Sequence, residues 1–228
     1  MKKTYLLFLL LLTSTLYSQQ IDDINTDRPD QSEGVYTLPK NKFQLEDGFT
    51  FSDESISNNL MLRYGFFNGT EVRLSSDFEK NKSENIEIDN FVLSFKQRIL
   101  EEKNYLPAIT LVGYLTYKNP IKEWQTDVYL AFENNISEKF VLCYNVGTSN
   151  FFRELNVTTQ FGYSVTKDLY TFLEYFATFG NQLPLHNFDT GLLYCITSDF
   201  QIDVAFGRSI FNENSNWFVS TGFAYRFF

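Results

Sequence analysis

The stretch WFVSTGFAYRFF, residues 217–228, carries two patterns at once. Trp217, Val219, Thr221, Phe223, Tyr225 and Phe227 share one parity, and Ser220, Gly222, Ala224 and Arg226 share the other. Side chains of a strand point alternately to its two faces, so this is a strand with an aromatic face and a small or polar face. The last residues of a soluble domain are often poorly ordered, which makes a terminal aromatic face hard to cover in water. A bilayer would cover it directly.

The same alternation recurs eleven times from residue 43 onward. Phe43, Leu45, Phe49 and Phe51 oppose Gln44, Glu46 and Thr50; Val72 and Leu74 oppose Glu71 and Arg73; Phe91, Leu93 and Phe95 oppose Ser94 and Lys96. The polar parity carries Glu46, Arg63, Glu71, Arg73, Asp77, Lys96, Arg98, Asp127, Glu174, Asp189, Asp203 and Arg226. Short links such as Asn68-Gly69, a strong hairpin signal, alternate with polar and mostly longer ones, such as SDESIS (52–57) and GNQLPLHN (180–187). Tight turns at one end and longer loops at the other predict a transmembrane, antiparallel up-and-down β-barrel of about 12 strands. Twelve apolar strand faces exceed what the inside of a narrow soluble barrel could bury, so the apolar parity is expected to face lipid and the charged parity the lumen. A secreted soluble β-barrel that binds a small ligand is the alternative with the faces exchanged.

Composition agrees. Phe, Tyr and Trp make up 18% of the chain, yet mean hydropathy is only −0.23, the mixture that one greasy face and one wet face produce. Residues 1–18 have the layout of a secretory signal peptide: Lys2 and Lys3, an apolar run from Tyr5 to Leu12, then small and polar residues. Removing those two lysines takes the net charge from −9 to −11, which argues against nucleic acid as a partner. Residues 19–41 precede the barrel (42–228). Asp27, Arg28, Asp30 and Glu33 make this segment too charged for lipid; it is expected either to plug the lumen, with Arg28 meeting wall carboxylates, or to form a periplasmic tail.

Cys143 and Cys195 are expected to be free thiols inside strands. Neither a Cys/His cluster nor a His-x-Ser pair occurs, and the single His186 falls in or beside an expected loop. The expectation is therefore no metal, no cofactor and no catalytic residue.

The segments TDRPDQSEGVYTLPKNKFQLEDGF (26–49), LRYGFFNGTEVRL (62–74), FVLSFKQRI (91–99), LYTFLEY (169–175), FQIDVAFGRS (200–209) and WFVSTGFAYRFF (217–228) resemble, in this order, the outer-membrane "transporter" family named for a MetA pathway of phenol degradation. The resemblance implies a location in the bacterial cell outer membrane, with lipid around the wall. It also implies passage of small solutes, aromatic or hydrophobic ones included, and recognition of the C-terminal strand by the barrel assembly machinery. Here the chain adds Phe228 to the family's usual YRF ending. A closed barrel with a structural or interaction role is the rival expectation.

Overall fold

A computed structural model describes residues 23–81, 86–180, 183–211 and 216–227. The expected signal peptide and Phe228 lie outside the described residues. Twelve strands follow in order: β1 (Phe43–Ser52), β2 (Ser55–Phe67), β3 (Thr70–Asn81), β4 (Glu87–Leu100), β5 (Ala108–Lys118), β6 (Glu123–Asn135), β7 (Phe140–Ser149), β8 (Glu154–Ser164), β9 (Leu169–Phe179), β10 (Leu185–Thr197), β11 (Phe200–Ile210) and β12 (Trp217–Phe227). Each pairs antiparallel with its sequence neighbours, and β1 pairs with β12 to close the ring. Closure leaves no edge, a condition hydrocarbon imposes because each unpaired backbone group there costs several kcal/mol.

The two parities face as expected. Phe49 and Leu93 are 45% and 47% exposed on the outside, whereas Glu71 and Arg73 are 0% and 1% exposed on the inside. A sheet with charges inside and aromatics outside is the wall of a membrane-spanning barrel. Strands of 10 to 14 residues are long enough to cross. At the end where the chain enters β1, Phe43 stacks on Tyr64, Phe140 packs on Tyr163, and Tyr225 meets Phe227. Amphipathic rings settle at a membrane interface, and these mark one.

One detail differs from the expectation. The link expected over 52–57 is nearly all strand, with only Asp53 and Glu54 outside β1 and β2. The ladder continues beyond the apolar belt because its hydrogen bonds remain satisfied there. The tight-turn-end link 101–107 keeps the greater length its sequence LEEKNYLP carries and folds on itself through a Lys103–Leu106 bridge. His186 is the second residue of β10, beside the loop, with Tyr175 Oη 2.7 Å from its Nδ1 and the Phe211 ring against it. Both cysteines are free, Cys143 buried and Cys195 half-buried.

A polar pair interrupts the outer pattern across β1 and β2. Asp47 occupies the apolar parity of β1 and accepts a hydrogen bond from Asn58 Nδ2 at 2.7 Å. Between Leu45 and Phe49, it places a carboxylate on the wall that otherwise meets lipid.

Candidate functional site

Residues 24–38 lie inside the ring. The chain enters beside Arg226, whose Nη1 donates to the Asp23 carbonyl at 3.2 Å, and returns to Asn41, whose N–H donates to Gly65. Between these points the segment is held by side chains of the inner wall.

Asp27 is the centre of the largest cluster. Its carboxylate meets Arg73 at 2.8 Å and Arg63 at 3.4 Å, and it also pairs with Lys96. Burial by itself would raise the Asp27 pKa, but Arg63, Lys96 and Arg73 outweigh it and hold the carboxyl well below the usual range. Glu33 adds a second carboxylate 3.1 Å from Arg73 and 3.8 Å from Lys96. On the wall itself Arg63 bridges Glu46 at 2.6 Å and Glu71 at 2.7 Å. These groups come from β1, β2, β3 and β4. The strand parity alone brings them to one face, and the direct pairing of Arg63 with Arg73 brings both guanidinium groups to one place. Two adjacent cations repel, so the surrounding carboxylates are needed to hold them there.

The opposite wall is acidic. Glu174 and Asp189 face each other directly across the β9–β10 ladder. Glu174 accepts the Gln31 N–H at 2.8 Å and the Ser32 hydroxyl. Asp30 sits beside them, hydrogen-bonded by Gln160. Burial, and then the neighbouring Glu174 carboxylate, push the Asp30 pKa well above the ordinary value. Arg28 is the segment's cation on this side. Its Nη2 lies 3.2 Å from Asp203 and donates to Ser220 Oγ at 3.1 Å.

Arg28 reaches its partners through a notch in the seam. Gly48 of β1 and Gly222 of β12 are register partners that point inward. A Cβ at Gly48 would come within 1.9 Å of the Arg28 guanidinium carbon, so the guanidinium occupies the space a side chain would fill. At the return, a Cβ at Gly65 would lie 2.0 Å from the Pro39 carbonyl oxygen, so glycine there permits the backbone to pass.

The remaining wall charges sit away from these clusters. Asp77 accepts from Asn90 at 2.6 Å, and Asp127 accepts the Asn150 N–H at 3.0 Å towards the loop end. Arg98 pairs with Glu101 at 3.6 Å, and Arg226 with Asp199 at 2.7 Å, both at the tight-turn end. Neutral wall groups that charge-based reading passes over do much of the holding. Asn145 brackets the Glu33 backbone at 2.7 and 3.0 Å, and Thr110 donates to the Val35 carbonyl at 2.6 Å. Inward parity was the signal that could have found them.

The segment borders two cavities. One, of about 290 Å³, opens among Arg28, Asp30, Glu133, Cys143, Tyr170 and Cys195 towards the tight-turn end. The other, of about 330 Å³, lies towards the loop end among Tyr114, Asp127, Tyr129, Asn156 and Phe176. Glu33 lines both. Among the described residues, no group of three His, Cys, Asp or Glu side chains is placed to hold a metal ion.

Comparison with known proteins adds a family and a fold. The family model described as "Putative MetA-pathway of phenol degradation" matches residues 26–227. The COG4313 outer membrane channel from Pseudomonas putida F1 is 14% identical, with 89% of this chain and 100% of that chain covered at a TM-score of 0.67. The KdgM porin in complex with disordered oligogalacturonate is 16% identical over 81% of this chain and 99% of that one, TM-score 0.64. The NanC porin is 8% identical over 80% and 98%, TM-score 0.63. These three solved structures are channels or porins, and at such identities they speak for the fold. Among curated proteins, none matches the sequence.

Proposed function

The chain belongs to the family described as "Putative MetA-pathway of phenol degradation", and we propose that it is a bacterial outer-membrane channel for small solutes whose bore is gated by its own N-terminal segment. The tight-turn end, where the segment enters, faces the periplasm; the other loops face outward. Lipid surrounds the wall, and the C-terminal strand is the part the assembly machinery would recognise. Aromatic or hydrophobic solutes fit the family's description, and the aromatic lining of the outer cavity supports this.

The observation that carries the reading is the position of Glu33, bordering both cavities while salt-bridged to the wall. Asp27 ties the segment to β2, β3 and β4, and Arg28 ties it to β11 and β12. A wall built to be permanently shut would be filled by its own side chains. This one is filled by a separable stretch of chain held through polar contacts.

The test is conductance in planar bilayers. Deleting residues 19–38 should raise single-channel conductance several-fold over the full chain. Equal conductance would remove the segment as a gate, and no conductance from either protein would favour a closed barrel with a structural or interaction role.

A further inference from the structure

Two of the four carboxylates in the basic cluster, Asp27 and Glu33, come from the segment, whereas its three cations come from the wall. Arg63, Arg73 and Lys96 contribute three positive charges, and Glu46 and Glu71, also on the wall, offset two. The wall patch without the segment is therefore left with one unbalanced positive charge, which suits one monocarboxylate. Arg63 is held by wall carboxylates at Nε, Nη1 and Nη2. Arg73 is not: it is 1% exposed, yet its Nη2 has no hydrogen-bond partner among the described residues. An unpaired buried guanidinium N–H is costly, and a carboxylate offers the fork geometry that would satisfy it.

The surroundings indicate what the carboxylate would be attached to. The Arg73 guanidinium lies 5.0 Å from the centroid of the Tyr114 ring. Tyr114, Tyr129 and Phe176 line the cavity of about 330 Å³ that begins at Glu33. An apolar cavity of about 150 Å³ already accepts a benzene ring. A planar ring entering from the outer side would meet Tyr129 and Phe176, with Asp127 and Asn156 beside them, before the Arg73 guanidinium.

The geometry points to a binding site for one aromatic monocarboxylate at Arg73 and Lys96, which Asp27 and Glu33 occupy as tethered stand-ins. The inference rests on the reading of the segment as a gate and names the solute class that would release it. A tethered competitor acts at an effective concentration in roughly the millimolar range, so a free ligand must reach similar levels to displace it. Uncharged ring compounds lack the group that competes.

Hydrogen exchange of the amides of residues 26–34 in the detergent-solubilised full chain provides the test. Sodium benzoate should raise their exchange, while benzyl alcohol and sodium chloride at equal concentration should not. Arg73→Gln or Lys96→Gln should shift the half-effective benzoate concentration upward at least tenfold, and Asp27→Asn should lower it. Equal responses to benzoate and benzyl alcohol, or none to benzoate, would overturn the site. Heat-modifiable migration checks that the wall variants fold. If they do not, Asp27→Asn decides, and an unchanged benzoate midpoint counts against the proposal. Conductance keeps the two readings apart. A deletion that opens the channel with no benzoate response sinks the site alone, and a benzoate response without conductance sinks the gate alone.

Discussion

Replacing Gly48 by Ala should release the segment while leaving the barrel intact. The new Cβ would fall 1.9 Å from the Arg28 guanidinium carbon, and the three nearest atoms it would meet all belong to that guanidinium. The end of a flexible side chain yields before a closed sheet does, so Arg28 leaves the notch. It then loses the 3.2 Å contact with Asp203 and the 3.1 Å bond to Ser220. Hydrogen bonds to charged groups contribute about 1.5–3 kcal/mol each. Part of that returns as Arg28 finds water in the adjoining cavity, leaving a loss of about 3 kcal/mol. At ~1.4 kcal/mol per tenfold, docking weakens on the order of a hundredfold. Alanine is also easier to hold in a strand than glycine, so heat-modifiable migration should not change. Single-channel recordings should show longer open dwell times, and amides of residues 26–34 should exchange faster. Arg28→Ala should have a similar effect, and adding Gly48→Ala to it should do nothing more, because both remove the same contacts. A full further increment from Gly48→Ala in the Arg28→Ala background would refute the notch argument, as would wild-type gating by Gly48→Ala alone.

Two further outcomes follow from the charge placement. Asp30 has its pKa raised by burial and by Glu174, so its contribution to docking is complete below the ordinary carboxylate pKa and is lost as pH rises through the docked value. Asp27 has its pKa lowered, so its contribution is lost only in strong acid, below the ordinary value. Conductance should therefore rise as pH is raised from mildly acidic to alkaline, and Asp30→Asn should flatten the curve; a rise on mild acidification would contradict the assignment. The Asp47–Asn58 pair spends polar groups on the lipid face, where apolar residues cost nothing to desolvate. The double change Asp47→Leu with Asn58→Leu should stabilise the folded barrel by about 1–2 kcal/mol, read from urea unfolding in lipid vesicles; destabilisation would mean the pair has a partner.

The barrel was legible because its physics is local and repeated. A period of two, read in twelve segments, assigns every side chain to one of two faces, and counting charges on each face shows which one lipid can cover. The parity that separates Phe223 from Arg226 is visible in the last twelve residues alone. Closure then follows from backbone hydrogen bonding, which needs no knowledge of any particular side chain. Asp47 escaped that reading because one acid within a greasy strand does not change the period. The extent of β1 and β2 escaped it because polar residues above the membrane belong equally well to strand or loop.

Pairing inside the bore was beyond the sequence. Asp27 and Lys96 are 69 residues apart, and Arg28 and Asp203 are 175 apart. Alternation says that such groups share an interior; it does not say which of them touch. That depends on stagger between strands and on the path of residues 24–38 across the ring, both set by three-dimensional closure. The glycines show the same division. Their small size at 48 and 222 is plain in the chain, but that they form one notch, filled by a guanidinium, exists only once the first strand lies against the last.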